Sequence, residues 1–166
     1  MRVADVMTEN PICCVPSDTA QVAALIMRDE DVGIVPVVGS DKNRMLIGVV
    51  TDRNLCLSVI ADRHQVLIAE GEDPTNVPVE KYMTSNVVTC LPDDDIDRAL
   101  NLMEENRVRR IVVVDHQKII HGIVSFADLV LRSHIPPERL IEALKHIVEP
   151  ARAGEKPKAE SAGERG

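Results

Sequence analysis

Aromatic side chains are almost missing from this 166-residue chain, which has no tryptophan, one tyrosine (Tyr82) and one phenylalanine (Phe126). Single-stranded nucleic acid is held by aromatic faces on which bases stack, and the sequence does not supply them. Positive charge is also in deficit, with 19 Lys and Arg against 27 Asp and Glu and a net charge of −8. A polyanion as main partner is therefore disfavoured, whereas a small anion needs only a local basic spot. No apolar run approaches the ~18 residues of a membrane span, and MRVADVMTEN has no signal-peptide core. A cytoplasmic protein without membrane or nucleic-acid partners is expected. The four cysteines (Cys13, Cys14, Cys56, Cys90) form no CxxC and have no histidine at ligand spacing, so buried thiols are expected rather than a disulfide or zinc site. The five histidines are scattered, and HExxH, P-loop, GxGxxG and nucleophile-elbow patterns are all missing. No catalytic residue, metal or catalytic cofactor is expected, and the chain is not read as an enzyme.

What the chain does have is a repeat. Shifting it by 76 residues lays VMTENPICCVPSD (6–18) on YMTSNVVTCLPDD (82–94), with Met7/Met83, Thr8/Thr84, Asn10/Asn86, Cys14/Cys90, Pro16/Pro92 and Asp18/Asp94 identical. The match runs on through Ala23/Ala99, Met27/Met103 and VGIVPVV over VRRIVVV, then drops to an offset of 74 that places Gly48 on Gly122. The change of two residues falls between apolar runs, where a hairpin loop tolerates it. Each copy reads as helix, strand, helix, strand, strand, helix. The expected strands are Ile12–Val15 and Val88–Leu91, followed by the pairs Ile34–Val38 with Met45–Val50 and Ile111–Val114 with Ile119–Val124. Ile96, Ala99, Leu100 and Met103 form an amphipathic stripe behind an acidic helix start at 93–95. The expected layout is repeat 1 over 2–62, a Gly/Pro/acidic linker over 63–78, repeat 2 over 79–134, a helix over 135–149 with Leu140, Leu144 and Ile147 on one side, and a disordered tail over 150–166. That last helix reads as a lid on the core or a dimer contact.

GVVTDRN (48–54) and GIVSFAD (122–128) are the two copies of one element. A hydroxyl residue followed three positions later by Asn or Asp fits a capping box at a strand-to-helix junction. The same residues also fit a binding site. A helix start offers free N–H groups to an anion, and the Asp128 carboxylate can accept two hydrogen bonds from a vicinal diol. Local chemistry leaves cap and site both open. NRVRR (106–110) adds Arg107, Arg109 and Arg110 at a strand start, where repeat 1 has Gly33 and Ile34, and Arg53 precedes Asn54. These arginines read either as phosphate contacts or as a solvated cluster pairing with Glu104 and Glu105.

The order of these elements, written twice over roughly residues 2–134, resembles a tandem CBS-domain pair (a Bateman module) of the small stand-alone bacterial kind. That resemblance implies an α/β fold in which two repeats are related by a pseudo-twofold axis, a homodimer, and clefts for AMP, ADP or ATP as a regulatory ligand read by an effector protein. In one cleft it implies Ile123, Ser125 and Asp128 together with Thr8, Cys13, Val32 and Gly33, with Asp128 on the ribose hydroxyls. In a second, weaker cleft it implies Val49, Thr51 and Asn54 with Thr84, Thr89 and Val108. Phosphate is assigned to Arg109 and Arg110, with Arg53 as a further candidate. Asn54 departs from the pattern; an amide accepts one bond without charge assistance, so this second cleft is expected to be weak or empty. An interaction module without ligand, and a sensor of S-adenosylmethionine or NAD, are the alternatives.

Overall fold

The computed structural model describes residues 1–61 and 73–149. Residues 63–72 of the expected linker and the expected tail at 150–166 lie outside the described residues. The described residues divide into two compact units, one of residues 1–9, 88–115 and 121–149, the other of residues 10–61, 73–87 and 116–120.

In the first unit, β1 (Thr8–Glu9), β6 (Ile120–Ser125), β5 (Arg110–Val114) and β4 (Thr89–Cys90) form one sheet in that order. β1 runs antiparallel to β6 with Thr8 opposite Ile123, and β4 runs parallel to β5 with Cys90 opposite Val113. Helix α3 (Ile96–Asn106) starts at Asp95, whose side chain accepts from the Asp97 amide. Its stripe is as the periodicity predicts: Ile96, Ala99, Leu100 and Met103 are all buried. The helix ends at Arg107 in the left-handed conformation, φ 53°, and α4 (Phe126–Arg132) and α5 (Pro137–Val148) follow the sheet. α5 lies over the core, but through Leu140, Ala143 and Ile147. Leu144, expected on that side, is exposed together with Ile141 and Val148. Leu144 belongs instead to a second apolar stripe, with Ile141 and Val148, one residue further along the helix.

In the second unit, β2 (Ile34–Val38) and β3 (Leu46–Thr51) form an antiparallel hairpin, with Ile34 opposite Thr51. The flanking pairings of the first sheet are reduced here to single bridges, Cys14 to Val37 and Val49 to Thr84. Ile12–Val15 is therefore not a strand, only one bridged residue. Helix α1 (Ala20–Asp29) is capped by Thr19, and α2 (Asp52–Asn54) continues as a π-helical turn over Leu55–Ala61. Val77 and Val79 are buried, and backbone bonds from Val79 to Asp18 and from Ala20 to Val77 tie them down. These bonds repeat, residue for residue, those of Val3 to Asp94 and Ile96 to Met1 in the first unit.

Cys14 and Cys90 are buried, and burial pushes each thiol up to about 12. Cys13 is half-buried and Cys56 is exposed, contrary to the expectation of four buried thiols.

Candidate functional site

The two copies of the Gly-x-x-[Ser/Thr]-x-x-[Asp/Asn] element take the same local structure. Gly122 and Gly48 each open it, because the chain passes too close for a side chain. A Cβ on Gly122 would sit 2.7 Å from the Thr8 carbonyl oxygen and 2.7 Å from the Met7 sulfur. On Gly48 the corresponding distances are 3.0 Å to Thr84 and 2.9 Å to Met83. The Met-Thr pair at the start of each repeat is thus what the glycine accommodates, within one unit in both cases.

The element then closes as a capping box. The Ser125 hydroxyl accepts from the Asp128 amide at 3.1 Å, while the Ser125 amide (2.8 Å) and hydroxyl (2.6 Å) both donate to Asp128 Oδ2. In the other copy the Thr51 hydroxyl accepts from the Asn54 amide at 3.1 Å, and the Thr51 amide and hydroxyl donate to Asn54 Oδ1 at 2.9 and 2.8 Å. The cap is therefore real in both copies. It uses one oxygen of Asp128 and leaves Oδ1, whose neighbour is Arg132 Nη1 at 3.5 Å. Arg132 also donates to the Val6 carbonyl at 3.1 Å, tying α4 to the first turn of the chain. Sequence reasoning missed Arg132, although its position four residues after Asp128 was the signal for an ion pair.

Thr8, Ile123, Ser125 and Asp128 all lie in the first unit, Thr8 exposed and paired with a buried Ile123, and Ser125 joined to Asp128 by the cap. Arg109 and Arg110 belong there too: the Phe126 amide donates to the Arg109 carbonyl at 2.8 Å, so the arginine-bearing strand start runs alongside the capping box. Both arginines are exposed, and their side chains have no hydrogen bond or ion pair among the described residues. Glu104 does not pair with them, as one alternative expected, because Arg139 and His146 take both of its oxygens. Thr89 and Val108, assigned to the weaker set, also lie in this first unit.

The second unit holds Val49, Thr51, Asn54 and Thr84, with Val49 bridged to Thr84, and Arg53 exposed beside them. It also holds Cys13, Val32 and Gly33. The Gly33 carbonyl accepts from the Asp52 amide at 3.3 Å, the counterpart of Arg109 and Phe126. The Cys13 thiol donates to the Pro11 carbonyl at 3.3 Å, and Arg44 Nη2 donates to the same oxygen at 3.0 Å. Burial raises the Cys13 thiol and the Arg44 charge partly offsets it. Arg44 sits at φ 48° in the β2–β3 loop, as Lys118 does at φ 63° in the other hairpin; nothing in the sequence pattern marks either.

A six-element α/β unit written twice, each copy closing on a capped strand-to-helix junction, defines a tandem-repeat α/β scaffold. The CBS domain family model matches residues 3–60 and again 79–134, and the chain belongs to that family as a tandem pair. It is 35% identical over 148 residues to the uncharacterized protein YlbB of Bacillus subtilis, covering 89% of this chain and 92% of that one. Hypoxic response protein 1 of Mycobacterium tuberculosis is 29% identical over 146 residues, 88% of this chain and 93% of that one. The crystal structure of Hypoxic Response Protein I with two coordinated zinc ions is similar at TM-score 0.63 and 31% identity, over 82% of this chain and 100% of that one. That of CBSX2 in complex with AMP is similar at TM-score 0.65 and 27% identity, over 78% and 93%. Among the described residues no three His, Cys, Asp or Glu side chains are grouped so as to hold a metal, and no helix is long and apolar enough to cross a membrane.

Proposed function

We propose that this chain is a regulatory module that binds an adenosine nucleotide through the element at Ser125–Asp128 and passes its occupancy to a partner protein. The observation that carries this reading is the division of labour at Asp128: Oδ2 makes the cap, while Oδ1, outside the cap and facing Arg132 Nη1 at 3.5 Å, is the oxygen that would accept from ribose hydroxyls. Cap and site are then one arrangement rather than rivals. In this reading Thr8, paired with Ile123 on the neighbouring strand, contributes to the same site, and the exposed Arg109 and Arg110 at the adjoining strand start would supply positive charge for phosphate. The likeness to CBSX2, solved with AMP, supports the ligand class. The reading includes a homodimer and a cytoplasmic location. Ligand acts only through its differential affinity for two states of the module.

The exposed side chains of Val130 and Leu131 on α4 and of Ile141 and Val148 on α5 favour a second reading, an interaction module without ligand. Titration calorimetry with AMP, ADP, ATP and S-adenosylmethionine separates the two. Binding of an adenosine nucleotide supports the sensor, and binding of none leaves the interaction module. Arg109→Ala is expected to weaken AMP and ATP while sparing adenosine; a uniform loss would make the arginine structural.

A further inference from the structure

Asn54 differs from Asp128 in more than charge. The Thr51 N–H is a donor only, so the Asn54 atom that faces it at 2.9 Å is the carbonyl oxygen, which the Thr51 hydroxyl also meets at 2.8 Å. The cap therefore consumes the one acceptor that an amide side chain has. With both donors of Thr51 on it, this oxygen is poorly placed to accept from a ribose hydroxyl in the manner of Asp128. By the close match of the two capping boxes, the Asn54 amide nitrogen Nδ2 corresponds to the Asp128 oxygen that the cap leaves unused, and Nδ2 has no partner among the described residues.

We propose that Asn54 is a specificity-determining residue that reverses the hydrogen-bond polarity of its element, so that it takes an adenosine nucleotide whose 2′ or 3′ oxygen carries a phosphate, whereas Asp128 takes the free diol. This rests on the reading of the two elements as sugar contacts. A phosphate ester has acceptors and no proton to give. It repels a carboxylate at that position and accepts from an amide N–H, and the bond is strengthened by the phosphate charge. Arg53, the preceding residue, is exposed with no side-chain partner among the described residues and adds a positive charge beside Asn54. The same chemistry separates dinucleotide-binding folds, in which an acidic residue holds a free 2′-hydroxyl and an arginine accommodates a 2′-phosphate. The corresponding position beside Asp128 is Ala127, which has no charge to offer.

The test titrates the full chain with AMP, adenosine 2′,5′-bisphosphate and adenosine 3′,5′-bisphosphate, in the wild type, Asn54→Asp and Asp128→Asn. One of the bisphosphates is expected to bind at one site per chain, to survive Asp128→Asn, and to weaken on the order of ten- to hundredfold in Asn54→Asp. Asn54→Asp should also gain a second AMP site. Bisphosphate binding that is lost in Asp128→Asn and unchanged in Asn54→Asp would overturn the inference. AMP binding with no bisphosphate binding would overturn it too, while leaving the Asp128 reading intact. Asn54-dependent bisphosphate binding with no AMP binding would support it and remove the Asp128 reading instead.

Discussion

Ser125 and Asp128 satisfy one another twice over, the hydroxyl accepting from the Asp128 amide at 3.1 Å while the Ser125 amide donates back to the carboxylate at 2.8 Å. Such a box satisfies donors that a helix start otherwise leaves open. Its consequence is positional: one carboxylate oxygen is immobilised, and the other is held in a set direction. Ser125→Ala is expected to cost about 1 kcal/mol in denaturant unfolding and to weaken ligand binding as well, because the freed carboxylate loses its orientation. Weaker stability with unchanged binding would show that the cap does not position Asp128.

The close approach of the Met-Thr segment to the element predicts a steric ranking. Gly122→Ala places a Cβ 2.7 Å from backbone oxygen and Gly48→Ala places one 3.0 Å away. Both should destabilise by about 1–3 kcal/mol, the range for overpacking, with Gly122→Ala the worse of the two. Urea unfolding of the two variants checks the order, and an Ala tolerated at 122 would contradict the close approach.

Tyr82 is the counterpart of Val6 and is buried at 6% exposure, with its hydroxyl lacking a hydrogen-bond partner among the described residues. Burial raises its pKa for the same reason, since the anion would be stranded. Removing an unsatisfied buried hydroxyl relieves a desolvation penalty, so Tyr82→Phe should be neutral to stabilising by about 1 kcal/mol. A loss of stability comparable to that of a large-to-small core change would reveal a partner for the hydroxyl.

The contact of α5 with α3 is pH-sensitive in one direction. Glu104 is held below the usual carboxylate range, chiefly by its hydrogen bond from Arg139 and then by that from His146, against an opposing effect of burial. A depressed carboxylate stabilises the fold above its unfolded value and loses that contribution as pH falls through its folded value. Glu104→Gln should therefore lower stability at pH 7, by about 1 kcal/mol or less for a pair near the surface. The difference from wild type should shrink below about pH 4, the ordinary range of the group. Thermal unfolding across pH checks this, and a constant difference would assign the effect to packing.

Much of this was legible in the sequence because the repeat reads each feature twice. The hairpins, the α3 stripe and the capping boxes follow from short-range patterns of alternation, 3.6-residue period and Ser/Thr spacing. β1 was not legible: Thr8–Glu9 is a strand only because β6, more than a hundred residues later, lies alongside it. On α5 the sequence places Leu140 and Ile147 on the core side but wrongly adds Leu144, because two apolar stripes are adjacent and periodicity does not say which faces the core. Asn54 could be identified as a departure, but its donor polarity appears only when the cap claims its oxygen. Arg132 lies one helical turn beyond the end of the repeated motif, so the motif itself does not mark it.

The assignment of the ligand to Asp128 is tested by calorimetric AMP titration of wild type, Asp128→Ala and Asn54→Ala. One AMP per chain is expected in the wild type, with loss of most binding in Asp128→Ala and little change in Asn54→Ala. No AMP binding in the wild type, or equal losses in the two variants, would contradict it.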